Sequence, residues 1–167
     1  MKNLVVGISD CKTATEAGEQ LVTYALGSCI AVSAWDPILK IGGLLHFMLP
    51  DSNLDSRRAE ESPCMFADTG IPKLFDLLIR RGADRRRLVI TLTGGAQVLD
   101  PHRVFDIGRR NHLAARKVLW KYGAMVAAEE VGGEVSRTVR LDVDSGRLLI
   151  REGGGVEKEL PRRGGRV

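Results

Sequence analysis

The sequence predicts an α/β domain in which mixed β-sheets are layered with helices. Apolar, β-branched runs of strand length fill much of the first fifty residues, two later segments have helical spacing of apolar residues, and three short β runs follow. The 167 residues have the length of one ordinary domain, and no repeat or linker divides them. We therefore predict a single domain over residues 1–152 and a basic, glycine-rich tail over residues 153–167 that is disordered.

The N-terminal part of the chain contains four predicted strands. They are residues 2–8, 21–26, 30–35 and 41–49. The polar residues 9–20 are predicted to form a loop, and Asp36-Pro37 predicts a turn. Pro50 ends the fourth strand, and the charged residues 51–63 predict a second, longer loop.

The rest of the chain contains two predicted helices and four predicted strands. Apolar side chains recur at helical spacing over residues 71–81, where Asp68 or Thr69 is a candidate cap and Gly82 ends the helix. The second predicted helix covers residues 107–122. The predicted strands are residues 87–93, 125–129, 138–143 and 148–151, with a hairpin turn between the last two.

Composition excludes several classes of protein. No apolar run is long enough to span a bilayer, and the N-terminus becomes polar too early for a secretory signal, so we expect a cytoplasmic protein without membrane insertion. The three cysteines form neither a disulfide framework nor a zinc motif. The net charge of +4 comes largely from residues 85–87 and the tail, and only 5% of residues are aromatic, which argues against nucleic-acid binding. The TGGA segment at residues 93–96 lacks the lysine of a phosphate-binding loop, so we expect no nucleotide.

Cys29 is the best candidate nucleophile. It follows Gly27-Ser28 between two predicted strands, where backbone N–H groups of a tight turn could stabilise an oxyanion. His46 lies in the next predicted strand, and the two side chains would meet if these strands are antiparallel neighbours. Thr23 lies in the strand before Cys29 and could orient the imidazole. The alternative is that Cys29 and His46 are buried core residues without chemistry.

These residues resemble the CheD family of chemoreceptor glutamine deamidases. The resemblance depends on TYALGSC at residues 23–29 followed by GGLLHFMLP at residues 42–50, and it extends to about residue 151. Further matching segments are Ala67-Asp68, residues 94–96, residues 106–108 with Arg110-Asn111, and residues 131–133 with Arg137-Thr138. Tyr24 and Ala25 depart from the pattern, since the family often has Leu-Gly there.

The resemblance implies an enzyme, a cysteine hydrolase that acts on side-chain amides. It implies Cys29 as nucleophile, His46 as general base, Thr23 as orienting residue, and the backbone near Ser28 and Gly27 as oxyanion donors. The implied reaction converts glutamine side chains of methyl-accepting chemotaxis proteins to glutamate and releases ammonia, with receptor methylesterase activity as a possible side reaction. The implied fold is similar to the catalytic domain of cytotoxic necrotizing factor, with no metal or organic cofactor. A CheC-type phosphatase is an implied partner, and we expect a monomer.

The sequence alone leaves two other functions open. The same groove could hold receptor or phosphatase helices as a non-catalytic binding module. Cys29 could instead be a redox-sensing thiol, which would need Cys11 or Cys64 as a resolving partner.

Overall fold

The computed structural model describes residues 1–98 and 105–162, which contain ten β-strands and three α-helices. The strands are β1 (Lys2–Val5), β2 (Asp10–Ala14), β3 (Glu19–Leu26), β4 (Ile30–Asp36), β5 (Ile41–Phe47), β6 (Val89–Gly94), β7 (Val126–Val131), β8 (Arg137–Asp142), β9 (Leu148–Glu152) and β10 (Lys158–Glu159). The helices are α1 (Ser56–Glu61), α2 (Ala67–Arg80) and α3 (Ile107–Lys121). The predicted α/β class with mixed sheets is confirmed.

The strands form two five-stranded sheets. The first sheet has the order β1-β3-β8-β9-β10 and the second has the order β2-β5-β4-β6-β7. Each sheet contains one parallel pair, β1 with β3 and β6 with β7, and its other pairs are antiparallel. The predicted hairpin between β8 and β9 is confirmed.

Strand β4, at the centre of the second sheet, is buried on both faces because the helices cover one face and the first sheet covers the other. Ile30, Val32 and Ala34 pack in a cluster with α2 and α3 on one face. Ala31 and Trp35 point to the other face, in a cluster with side chains of the first sheet. This alternation places the helices, the second sheet and the first sheet in three layers.

Gly43 of β5 allows α2 to pack closely on the second sheet. A Cβ atom at this position would lie 2.7 Å from Leu74 Cδ1 and 3.2 Å from Leu78 Cδ1, both on α2. Since these leucines are fully buried, neither can move aside freely. The glycine therefore sets the depth at which the helix layer packs.

Local hydrogen bonds form elements where apolar periodicity predicts loops. Strand β2 lies within the predicted loop 9–20, because its backbone pairs with β5 at the edge of the sheet while its side chains stay partly exposed. Helix α1 lies within the predicted loop 51–63, and its N-cap is Asp55, whose carboxylate accepts from the Arg58 N–H. Periodicity cannot detect either element, since neither buries a regular apolar face.

Helix α2 begins earlier than predicted, and neither candidate cap occupies its N-cap position. The N-cap residue is Phe66, whose side chain makes no capping bond. Asp68 instead accepts hydrogen bonds from the backbone N–H and hydroxyl of Ser52, and Thr69 donates to the Pro63 carbonyl. Helix α3 agrees with the prediction to within one residue.

The tail also differs from its prediction, because part of it is ordered. Strand β10 pairs with β9, the Leu160 side chain packs against the cluster between the sheets, and Arg162 lies 5.0 Å from the Trp35 ring centroid. The apolar contacts of Leu160 stabilise this part of the tail, and the glycine-rich composition does not predict them. Residues 163–167 lie outside the described residues. Within the described ranges, no helix is both long and apolar enough to cross a membrane.

Candidate active site

His46 lies near the end of β5, between β4 and β2. Its backbone pairs with Ala31 on one side and Asp10 on the other, so its strand is the antiparallel neighbour of β4, the condition that the pairing with Cys29 requires. Leu45 and Phe47 pack on the helix side of the sheet, so alternation turns the His46 side chain toward the first sheet. The residue is fully buried.

Thr23 of β3 contacts this imidazole from the first sheet. Its Oγ1 lies 2.7 Å from His46 Nδ1 and 2.7 Å from the carbonyl oxygen of Val6. The hydroxyl has one proton, and because a carbonyl can only accept, that proton is donated to Val6. Nδ1–H therefore donates to Thr23 Oγ1, which leaves Nε2 as the unprotonated nitrogen.

The unprotonated nitrogen of His46, Nε2, is buried and has no hydrogen bond with Cys29 or with any other residue among 1–98 and 105–162. Burial lowers the pKa of His46 from 6.5 to about 4, so the imidazole is neutral at pH 7. Nε2 can therefore accept a proton in a reaction but does not carry one at rest.

Cys29 lies directly before β4, at the wall of a cleft of about 270 Å³. Gly27 and Ser28 line the same cleft, together with Ala25, Val98 and Ser136. The thiol is half-buried and packs against the cluster between the sheets, the face toward which His46 points. Burial raises the pKa of Cys29, and the residue's own backbone N–H offsets this only in part. The resting side chain is therefore a neutral thiol within reach of solvent.

Hydrogen bonds hold the backbone around Cys29. The Gly27 carbonyl accepts from the Ala96 N–H at 2.9 Å, and the Cys29 carbonyl accepts from the Gly95 N–H at 2.8 Å. Gly94 has φ +106°, and a Cβ atom there would collide with the Cys29 carbonyl oxygen. The Gly94-Gly95 pair, which the sequence offered only as a weak phosphate-loop pattern, therefore supports the candidate nucleophile.

Ala25 adopts a left-handed backbone conformation with φ +53°. It lies where the register between β3 and β8 shifts, between Thr23 and Leu26. Glycine, which is common at this position in the family that the sequence resembles, adopts this conformation without strain. The departure at Ala25 therefore places a methyl group at the cleft without removing the turn.

The other two cysteines lie away from Cys29. Cys11 and Cys64 interact with each other, and this interaction raises the pKa of Cys11 and lowers that of Cys64. Both belong to the cluster on the helix side of the second sheet, whereas Cys29 contacts the cluster on the opposite side. A sheet thus separates Cys29 from both candidate resolving thiols, which argues against the redox-sensor alternative.

Of the two remaining histidines, the structure describes only His112. His112 of α3 is partly buried, and its Nε2 lies 2.7 Å from Glu129 Oε2. His102 lies outside the described residues. Within the described ranges, no group of three or more His, Cys, Asp or Glu side chains could hold a metal ion.

Comparison with known proteins agrees with the sequence motifs. A family model described as "CheD chemotactic sensory transduction" matches residues 48–152. The protein named "Probable chemoreceptor glutamine deamidase CheD" of Solibacter usitatus is 54% identical over 169 residues, covering 99% of each chain. Similarly named proteins of Syntrophus aciditrophicus and Anaeromyxobacter dehalogenans are 46% and 48% identical, covering 96% and 93% of this chain and 100% and 98% of their own lengths.

The two kinds of match complement each other. The family-model match begins after His46 and so excludes the three candidate catalytic side chains, whereas the full-length relatives also span the segment that contains them. Both lead to one assignment. The chain belongs to the CheD family.

Proposed function

We propose that this protein deamidates glutamine side chains of methyl-accepting chemotaxis receptors, with Cys29 as nucleophile, His46 as general base and Thr23 as orienting residue. The hydrogen bond from His46 Nδ1 to Thr23, which leaves Nε2 unprotonated, carries the proposal. The names of the full-length relatives supply the substrate class.

The register of the second sheet supports the pairing of nucleophile and base. Ala31 is directly opposite His46, and Cys29 precedes Ala31 by two residues. Cys29 directly precedes β4 and packs against the same cluster as Ala31, so it lies on the His46 side of the sheet, one diagonal step from His46. A diagonal neighbour is within reach of a long side chain such as an imidazole.

The reaction begins from a neutral thiol and a neutral imidazole. His46 Nε2 takes the proton from Cys29 as the sulfur attacks the amide carbon of the substrate glutamine. Backbone N–H groups of Ser28 and Cys29 stabilise the oxyanion. The imidazolium then gives its proton to the leaving nitrogen, so that ammonia departs and a thioester remains.

Hydrolysis of the thioester completes the cycle. His46 Nε2 removes a proton from water, the resulting hydroxide attacks the thioester carbon, and the carbon–sulfur bond breaks. The sulfur recovers its proton from the imidazolium, and the product is glutamate. Each turnover changes a neutral side chain into an anion, which alters charge repulsion between receptor helices.

Intact-mass measurement of a cytoplasmic receptor fragment tests this proposal. The fragment should gain about 1 Da per modified glutamine with the wild-type protein, as expected for amide-to-acid conversion. Cys29→Ala should produce no gain, whereas the matched control Cys11→Ala should retain activity. Equal activity in Cys29→Ala and wild type would exclude Cys29 as nucleophile. Binding of the fragment without any mass gain would favour the non-catalytic binding module.

The same acyl-transfer chemistry could also act on receptor methyl esters. Methanol can replace ammonia as the leaving group from the same acyl carbon, so we propose methylesterase activity as a side reaction of Cys29. We expect the wild-type protein to release methanol from a methylated receptor fragment and Cys29→Ala to release none.

We also propose that the protein is a cytoplasmic monomer that binds a CheC-type phosphatase. We expect the two proteins to co-elute as a one-to-one complex.

A further inference from the structure

Asn111 of α3 contacts both segments that carry the proposed catalytic pair. Its side chain is fully buried, and its Nδ2 donates to the Ser28 carbonyl at 3.0 Å and to the Met48 carbonyl at 2.8 Å. Ser28 immediately precedes Cys29, and Met48 is two residues after His46. One amide group thus joins the segment of the nucleophile to the strand of the base.

The chemistry of its partners fixes the orientation of this amide. Both partners are carbonyl oxygens, which only accept, so the NH₂ end of Asn111 must face them. The Oδ1 atom is buried and has no hydrogen-bond partner within the described ranges. Both donor hydrogens are therefore used to hold backbone, while the acceptor is left unpaired.

The hydrogen bond to Ser28 also sets the direction of the Cys29 N–H. In a trans peptide unit the C=O and N–H groups point in opposite directions. Because Asn111 holds the Ser28 carbonyl, the Cys29 N–H points away from α3. The Gly27 carbonyl is held by the Ala96 N–H, which directs the Ser28 N–H away from that contact in the same manner.

We propose that Asn111 is a positioning residue for the deamidation reaction, fixing the Ser28–Cys29 peptide relative to His46. It acts through backbone and does not touch the substrate. This inference rests on the proposed function, because it assigns a role in that reaction.

Asn111→Leu removes the donor group and keeps a similar side-chain shape. We expect kcat to fall about 30-fold or more while KM changes less than about threefold, because misplaced reacting groups slow chemistry more than they weaken binding. The matched control is Ala115→Gly, one turn further along α3 at a fully buried position. This change destabilises the helix without touching Ser28 or Met48, and its kcat should stay within about threefold of wild type. Equal loss of kcat in both variants would overturn the inference.

Amide hydrogen exchange at Gly95 and Ala96 supplies a readout that needs no substrate. Their N–H groups donate to the Cys29 and Gly27 carbonyls, so they report whether the segment stays in place. We expect exchange at both amides to be at least about tenfold faster in Asn111→Leu than in Ala115→Gly.

The two readouts separate the inference from the proposed function. If the wild-type protein does not deamidate receptor fragments while exchange still differs between the variants, the proposed function fails and the holding role of Asn111 stands. Unchanged exchange at both amides overturns the inference, whatever the activity.

Discussion

The hydroxyl of Thr23 and the imidazole of His46 join the two sheets by a contact of 2.7 Å between Oγ1 and Nδ1. Thr23 belongs to β3 of the first sheet and His46 to β5 of the second. The same hydroxyl donates to the Val6 carbonyl, which fixes its direction. The position of the proposed base therefore depends on how the two sheets pack.

Thr23→Val should lower kcat of deamidation about 100-fold, because it removes the acceptor of the Nδ1 proton and frees the imidazole to change tautomer or rotate. Valine has nearly the shape of threonine, so the packing is retained. Thr23→Ser keeps the hydroxyl and should retain most of the activity. Steady-state kinetics on a receptor fragment measures both. Comparable activity in the valine and serine variants would show that the hydroxyl does not orient His46.

The buried imidazole predicts a pH dependence of stability. The unfolded chain protonates His46 near pH 6.5, whereas the folded protein does so only near pH 4. Between these values the unfolded state binds more protons, so the free energy of unfolding falls as the pH is lowered. With 1.4 kcal/mol per pKa unit, the loss attributable to His46 between pH 7 and pH 4 is about 3 kcal/mol.

Urea denaturation of wild type and His46→Gln over this pH range measures that loss. The variant lacks the titrating group, so its stability should fall by about 3 kcal/mol less than that of wild type. The difference between the two proteins also removes the contributions of other histidines. Parallel pH profiles would mean that His46 is not held neutral by burial.

The sequence predicted strongly apolar elements well because burial leaves a pattern in the residues. The residues of β4 and β5 are all apolar or small around their functional positions, and their antiparallel pairing follows from two long strands joined by a short turn. The approach of Thr23 to His46 needs two different sheets to face each other. Periodicity within one segment carries no such long-range information, so the sequence indicated Thr23 as a candidate partner of His46 without predicting which sheets bring the two together.

The contacts of Asn111 are a part of the site that the sequence does not predict. A single polar residue on an amphipathic helix gives no local signal of its role, and its partners Ser28 and Met48 are distant in sequence. The sequence did not predict strand β10 for a related reason: a strand of two residues is too short to show a periodic pattern. Contacts between distant segments decide both cases.

Alkylation by iodoacetamide tests the resting state of Cys29. Burial raises the pKa of this thiol and the pKa of His46 is lowered, so both groups are neutral at pH 7. In a protein carrying Cys11→Ala and Cys64→Ala, the alkylation rate of Cys29 should rise about tenfold per pH unit from pH 7 to 9. Mass spectrometry of quenched samples gives the rate. A plateau below pH 7 that disappears in His46→Gln would instead indicate a thiolate–imidazolium pair.

Asp36 is the buried carboxylate that ends β4 and anchors the turn that follows. It accepts from the Ile38 and Leu39 N–H groups, from the Asp84 N–H, and from Nε and Nη2 of Arg87. Burial raises the pKa of Asp36, but these hydrogen bonds, that of Arg87 first, outweigh burial and lower it to about 2. Its contribution to stability is therefore present above pH 3.8 and is lost as the pH falls through about 2.

Asp36→Asn should lower the free energy of unfolding by about 3 kcal/mol at pH 7, because it places an NH₂ group against donors and leaves the Arg87 guanidinium without its carboxylate. The deficit should shrink toward pH 2, where the wild-type carboxyl also becomes protonated. Urea denaturation at both pH values measures this. Asp144→Asn, at an exposed turn position, is the matched control and should change stability by less than about 1 kcal/mol. Since Asp36 lies at the far end of β4 from Cys29, kcat of the folded variant should match wild type, and a large loss of kcat would show that the turn also positions the site.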